Sequence, residues 1–153
     1  MKRTKQLISI SMIFLLLSLC KLTLAQSVTN WVDVSSGDGF SSYGLKSDGT
    51  LWAWGDNEHG QLGHYSNGAD QDFAVQIGTD NDWASIAPGD DHCLALKLDG
   101  TLWAWGDNSL GELGNGAHGA TVHENFPIQI GSDHWLSIAA SSRSSFGVKA
   151  DGT

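Results

Sequence analysis

Twelve residues of this chain occur twice with a single change, and that repetition constrains the fold more than any other feature. Lys46-Ser-Asp-Gly-Thr-Leu-Trp-Ala-Trp-Gly-Asp-Asn57 returns as Lys97-Leu-Asp-Gly-Thr-Leu-Trp-Ala-Trp-Gly-Asp-Asn108, a shift of 51 residues, and begins again as Lys149-Ala-Asp-Gly-Thr153. Flanking signals keep the same order. Trp31, Trp83 and Trp135 recur at 52-residue intervals, and Phe73-Ala-Val-Gln-Ile-Gly78 is answered by Phe126-Pro-Ile-Gln-Ile-Gly131. A period of this length means stacked supersecondary units that bury a continuous core between neighbours. The spacing from Gly63 to Phe73 is 10 residues and from Gly114 to Phe126 is 12, so the length difference falls in one polar segment, as in a surface loop.

Each unit reads as four short strands. Leu51 to Trp54, Ala74 to Ile77, Trp83 to Ala87 and Cys93 to Lys97 are rich in β-branched and aromatic residues and are separated by Gly, Asn and Asp. Asp48-Gly49, Asp99-Gly100 and Asp151-Gly152 lie between two such strands, where a tight two-residue hairpin is expected. In the strand before each turn, Tyr43 and Leu45, Leu94 and Leu96, or Phe146 and Val148 share one face. The opposite face carries Ser42 and Gly44, Cys93 and Ala95, or Ser145 and Gly147. One large face and one small face, both uncharged, predict sheets stacked on both sides, like blades in a ring. Cys93 aligns with Ser42 and Ser145, so a buried position is expected for it.

The N-terminus reads as an address. A basic start (Lys2, Arg3, Lys5), a 13-residue stretch from Leu7 to Leu19 and the small-residue site ending at Ala25 describe a signal peptide over residues 1–25, leaving 26–153 as the repeat domain. The run is short for a membrane span of about 20 apolar residues, and Leu19 is bulky for a lipoprotein site at Cys20, so cleavage with no stable membrane span is the expectation. Lys46, Lys97, Arg143 and Lys149 then face all 17 acidic residues, a formal charge of −13. Scattered cations on such an acidic chain argue against nucleic acid, whose phosphates need clustered Lys and Arg.

The segment Leu51-Trp-Ala-Trp-Gly-Asp-Asn-Glu-His-Gly-Gln-Leu-Gly63, with Ile86-Ala-Pro-Gly-Asp-Asp-His92 and Ala95-Leu-Lys-Leu-Asp-Gly100, closely resembles the regulator-of-chromosome-condensation repeat. The resemblance covers nearly all of the chain after the signal and is similar to bacterial-type exported members. It implies an all-β propeller whose blades have four antiparallel strands, with about two and a half blades present here where the family has seven. An open arc exposes apolar faces, so the chain is expected to be a fragment of a longer reading frame or to self-associate. Departures include Glu112 in place of Gln61 and Arg143-Ser144 where the second repeat has Asp91-His92.

The repeat residues have structural explanations first. Trp52, Trp54, Trp103 and Trp105 alternate with alanines and fill space between blades. Gly55, Gly60, Gly63, Gly106, Gly111 and Gly114 suit tight loops, Asn57 and Asn108 hold turn backbone, and Leu62 and Leu113 complete the motif. A photoreceptor branch of the family is set aside, because its Gly-Trp-Arg-His-Thr segment is absent.

No catalytic constellation, cofactor motif or metal-ligand spacing is visible. The carboxylate-rich segments Asp70-Gln-Asp72, Asp80-Asn-Asp82 and Asp90-Asp-His92 lack the EF-hand pattern and read as solvated loops. The expected function is a non-enzymatic exported scaffold that binds a protein through its variable loops, His64 to Asp72 and Asn115 to Asn125. Its candidate contact residues are His64, Tyr65, Asp70, Asp72, His118, His123 and Glu124. In using loops on a rigid propeller it is similar to a secreted bacterial member that inhibits β-lactamases. The alternatives are an exported sugar-acting or metal-dependent hydrolase and guanine-nucleotide exchange on a small GTPase, the activity of the family's nuclear member. Export weighs against the exchange activity. Secretion, the periplasm and the cell surface all fit an exported chain.

Overall fold

A computed structural model describes residues 29–64 and 68–153, so the signal region and Tyr65 lie outside the described residues. The described chain is entirely strand and turn. Blade 1 is a meander of β1 (Trp31–Ser36), β2 (Ser41–Lys46), β3 (Leu51–Gly55) and β4 (Gln71–Gln76), all antiparallel in the order β1-β2-β3-β4. Blade 2 follows with β5 (Trp83–Pro88), β6 (His92–Lys97), β7 (Thr101–Asp107) and the first half of β8 (His123–Ser141). The second half of β8 pairs with β9 (Ser144–Lys149) and opens a third blade.

The four-strand reading therefore meets one difference. The fourth strand of blade 2 and the first strand of blade 3 run together as β8, whereas β4 and β5 are separate. The long strand still bends where the repeat requires it. Gly131 takes φ 62°, as its counterpart Gly78 takes φ 61°, and beside it the register jumps from Trp103↔Gln129 to Thr101↔His134.

The Asp-Gly turns also differ from the expected two-residue hairpins. Gly49 N–H donates to the Lys46 carbonyl at 2.9 Å and Lys46 N–H to the Thr50 carbonyl at 3.0 Å, which closes a three-residue loop. Only the glycine has positive φ (79° at Gly49, 82° at Gly100, 88° at Gly152), so the geometry is a type I turn ending in a left-handed residue. Asp48 explains the choice. Its Oδ1 accepts from Thr50 N–H at 3.1 Å and Thr50 Oγ1 at 2.7 Å, and Thr50 Oγ1 accepts from the Trp52 indole at 2.9 Å. Asp99, Thr101 and Trp103 repeat the same relay.

The large and small faces meet as the alternation in β2, β6 and β9 requires. Tyr43, Leu45, Leu51, Leu62 and Ile77 of blade 1 pack against Trp83, Cys93, Ala95 and Trp105 of blade 2 in one buried cluster. Leu94, Leu96, Leu102, Ala104 and Leu113 of blade 2 form a second cluster, with Trp135, Ile138 and Ala140 of blade 3 packed against it. Cys93 is fully buried as a small apolar residue in the first cluster. Burial pushes both its thiol and the neighbouring Tyr43 hydroxyl well above their ordinary pKa values, so neither ionises near neutrality.

Candidate functional site

In an antiparallel meander the connections alternate between two ends, and the ends of this molecule differ in character. The β2–β3 and β6–β7 end is closed electrostatically. Lys97 reaches Asp80 at 2.6 Å and Asp82 at 3.1 Å, and Lys149 reaches Asp133 at 2.7 Å. Burial pulls the Lys97 ammonium's pKa down, but the two aspartates outweigh it and the net shift is upward. Its stem lies against Trp83 and Trp103, with Nζ 5.0 and 4.7 Å from the ring centroids. Asp80 and Asp82, which read as solvated loop charge in the sequence, are ion-pair partners of Lys97. No group of three or more metal-ligating side chains occurs among the described residues.

The opposite end carries the β1–β2, β3–β4, β5–β6 and β7–β8 connections, and its turns are held by the buried repeat asparagines. Asn57 Oδ1 accepts from Leu62 N–H at 3.0 Å, and Asn108 Oδ1 accepts from Leu113 N–H at 3.0 Å. Asn108 also donates to Asn115 Oδ1 at 2.9 Å and to the Ala117 carbonyl at 3.0 Å, which anchors the start of the second variable loop. The two loop systems touch: a Cβ placed on Gly60 would lie 2.3 Å from Asn125 Oδ1.

The candidate contact residues divide in the structure. Asp72 and His118 are exposed. Asp70 is exposed too, but its Oδ1 accepts from Asn57 N–H at 3.2 Å, so it also braces the turn. His64 is buried and does not present a contact surface. The loops are also shorter than expected, because strand pairing begins earlier. Asp72 already belongs to β4, and His123 and Glu124 belong to β8, opposite Asp107 and Gly106.

Two surface residues escaped the sequence reading. Phe40, in the β1–β2 turn, is 87% exposed and holds φ 61°, while its carbonyl accepts from Asp56 N–H at 3.2 Å. A bulky residue in the left-handed region is strained and persists only where its surroundings hold it. Leu110, in the β7–β8 turn, is 66% exposed. The repeat alignment contained the signal for Phe40, since Asp91 and Arg143 occupy the same place in the other repeats.

This end is also acidic. Burial raises the Asp91 pKa first, the charge of His59 opposes that rise, and the nearby charges of Asp90, Asp107 and Asp56 each add a smaller upward push. Beside these carboxylates, His92 Nε2 lies 2.9 Å from Ser145 Oγ, and Ser145 Oγ donates to the Glu112 carbonyl at 2.6 Å. A hydroxyl has one proton, so His92 must donate to Ser145. That is the reverse of a serine nucleophile activated by a histidine base. Burial depresses the His92 pKa, opposed by the charges of Glu112, Asp107 and Asp90, which favours this neutral, donating ring. The arrangement ties blade 2 to blade 3.

The regulator of chromosome condensation (RCC1) repeat matches residues 48–96 and 99–148, and a second description of the same repeat matches 31–61 and 83–112. The chain belongs to the RCC1 repeat family. Its RCC1 repeats are 33% identical over 103 residues to the human probable E3 ubiquitin-protein ligase HERC6, covering 66% of this chain and 10% of that protein. They are 31% identical over 109 residues to a zebrafish (Danio rerio) RCC2 homologue, covering 71% of this chain and 22% of that protein. The chain thus spans less than a quarter of these relatives. Yeast RCC1 (Prp20), solved bound to Kap60, superposes on 79% of the chain and 30% of its own length, with a TM-score of 0.69 and 25% identity. A second Prp20p structure from Saccharomyces cerevisiae, described with its binding to Gsp1p and histones, gives a TM-score of 0.64 at 19% identity and 80% and 32% coverage, a likeness of fold.

Proposed function

We propose that this RCC1-type propeller segment is an exported, non-enzymatic scaffold that binds a protein through the β1–β2, β3–β4 and β7–β8 connections. The observation that carries the reading is the pairing of rigid supports with unlike loops. Equivalent buried asparagines hold the two turns in the same geometry, while the segments beyond them differ in length and sequence. That is how one scaffold presents variable recognition surfaces.

The partner's chemistry follows from the surface. Carboxylates gathered around Asp91, with the exposed Phe40 in the β1–β2 turn that packs against it, suit a basic protein surface that also offers an apolar contact. The complex of yeast RCC1 with Kap60 supports protein binding as the mode of action of this chain. Export rests on the basic start and apolar run of residues 1–25.

Two experiments test the proposal. Protein recovered outside the cytoplasm should begin at Gln26, and an uncleaved cytoplasmic product would refute export. Partners captured by the chain should be lost when residues 64–70 and 115–122 are replaced with Gly-Ser linkers, and binding should weaken as salt rises. Undiminished capture by the loop-replaced protein refutes the assigned surface.

A further inference from the structure

The fourth strand of a blade has one free side, and the two complete blades treat theirs differently. β4 ends the sheet β1-β2-β3-β4 and pairs only with β3 among the described residues. The first strands β1 and β5 of neighbouring blades lie side by side, which puts β4 on the outer rim of blade 1. Hydrogen bonding identifies the groups on its free edge. Ile77 N–H donates to the Leu51 carbonyl at 2.8 Å, and Val75 stands opposite Ala53. In an antiparallel pair, residues that bond inward alternate with residues that turn away, so Ala74 and Gln76 direct their backbone groups outward.

In blade 2, Ile128 stands opposite Ala104, and the same alternation turns residues 127 and 129 outward. The first of these is Pro127, which has no N–H to offer. Proline on an edge strand blunts it against the addition of a further strand. Ala74 occupies the equivalent place in β4, so that edge keeps the donor that β8 lacks. The side chains around it are both apolar and acidic. Phe73 is 81% exposed, and Asp70 and Asp72 are exposed beside it. The chain carries 17 acidic residues against 8 basic ones, so a second copy approaching this edge would meet like charge. Asp72 thus guards the edge against its own kind and attracts a cationic strand.

We infer that the outer edge of β4 is a docking site for an extended segment of another protein in which apolar and basic residues alternate. The segment continues the sheet through the backbone groups of Ala74 and Gln76. One of its apolar side chains packs on Phe73, and a Lys or Arg meets Asp72. Main-chain bonds supply the affinity, and the pairing of Phe73 with Asp72 selects the sequence. This edge is separate from the turn surface around Asp91, and its docking does not depend on the loop surface proposed above.

The probe is the peptide acetyl-Lys-Val-Lys-Val-Lys-Val-Lys-amide, titrated into the full chain at low ionic strength. It should bind saturably and slow amide hydrogen exchange at Ala74 and Gln76. Ala74→Pro should weaken binding about fivefold, the value of one backbone hydrogen bond, and Pro127 shows that a blade accommodates proline at this place. Phe73→Ala keeps every backbone donor and should weaken binding about threefold by removing the cross-strand contact. The same peptide N-methylated at alternate residues keeps its charge and side chains but cannot extend a sheet, so it should leave both amides unprotected. Equal binding by the parent and Ala74→Pro proteins, or by the two peptides, would reduce the effect to charge attraction and overturn the assignment. Absence of saturation would do the same. Protection of β4 that grows with protein concentration in the absence of peptide would give the edge to a second copy, which also overturns it.

Discussion

Trp54 and Trp105 occupy the same place in two nearly identical sequences, yet replacing them with alanine should have very different consequences. Each ring meets the first tryptophan of its own blade in the same way. Trp31 and Trp54 lie 6.1 Å apart at 62°, and Trp83 and Trp105 lie 6.2 Å apart at 63°. That local contact cancels in the comparison. What remains is the blade interface: Trp105 is 0% exposed against Leu62 and Tyr43, whereas Trp54 is partly exposed on the outer face of blade 1. A fully buried indole removes on the order of 150–250 Å² from water. At about 25 cal/mol/Å² this amounts to roughly 4–6 kcal/mol as an upper bound, and buried Trp→Ala changes cost about 3–5 kcal/mol. Losing the bond to the Gln61 carbonyl adds about 1 kcal/mol or less, because Tyr43 still donates to that oxygen.

For the half-covered Trp54, roughly 1–2 kcal/mol is expected on the same scale. The difference, about 2 kcal/mol or more, corresponds to about 1 M in urea midpoint for a domain of this size. Urea unfolding of Trp54→Ala and Trp105→Ala, followed by far-ultraviolet circular dichroism, measures it. Equal midpoints would refute the claim that burial between blades, and not the local motif, sets the value of each tryptophan.

Other outcomes follow from the same geometry. Gly63→Ala and Gly114→Ala share a left-handed backbone (φ 67° and 66°), costing about 1–2 kcal/mol each. Only Gly63→Ala also drives a Cβ into the Trp105 indole, so it should be lower in urea midpoint by a further 1–3 kcal/mol or so. Glu112→Gln should stabilise by about 1 kcal/mol, since Glu112 Oε1 is buried without a hydrogen-bond partner in the structure while Gln61 at the same position donates to Asp56; an unchanged melting temperature would count against this. Burial holds the His92 pKa below its unfolded value, so its contribution is fully present above about pH 6.5. It is lost as pH falls from there through the folded pKa, because the unfolded chain takes up the proton first. Melting temperature against pH should therefore be flatter in that window for His92→Phe than for the parent.

Much of the architecture was legible before any coordinates. The period, the alternation of Tyr43 and Leu45 against Ser42 and Gly44, and the glycine positions specify blades, because side-chain direction in a strand has a period of two and glycine alone takes positive φ at little cost. The turn chemistry was half legible. Asp-Gly marked the place, but whether two or three residues close the loop depended on the Thr50 hydroxyl bridging Asp48 to Trp52. The candidate surface was less legible still. His64 reads as a polar loop residue but is buried, and His123 and Glu124 read as loop but pair with β7. Phe40 owes its exposure to a backbone conformation that a single residue letter does not announce.

By itself the sequence determined the repeat, the strand faces, the positions of the turns and the acidity of the chain, because each depends on residues near one another along the backbone. Only the tertiary structure decided which face of which blade is covered. It decided that Trp105 is fully buried and Trp54 only partly, that Asp80 and Asp82 neutralise Lys97, and that the space over Gly63 is filled by the Trp105 indole. Those outcomes depend on which blade stands beside which. Identical sequences acquire different energies when their neighbours differ, because burial and hydrogen bonding across an interface belong to both sides of it.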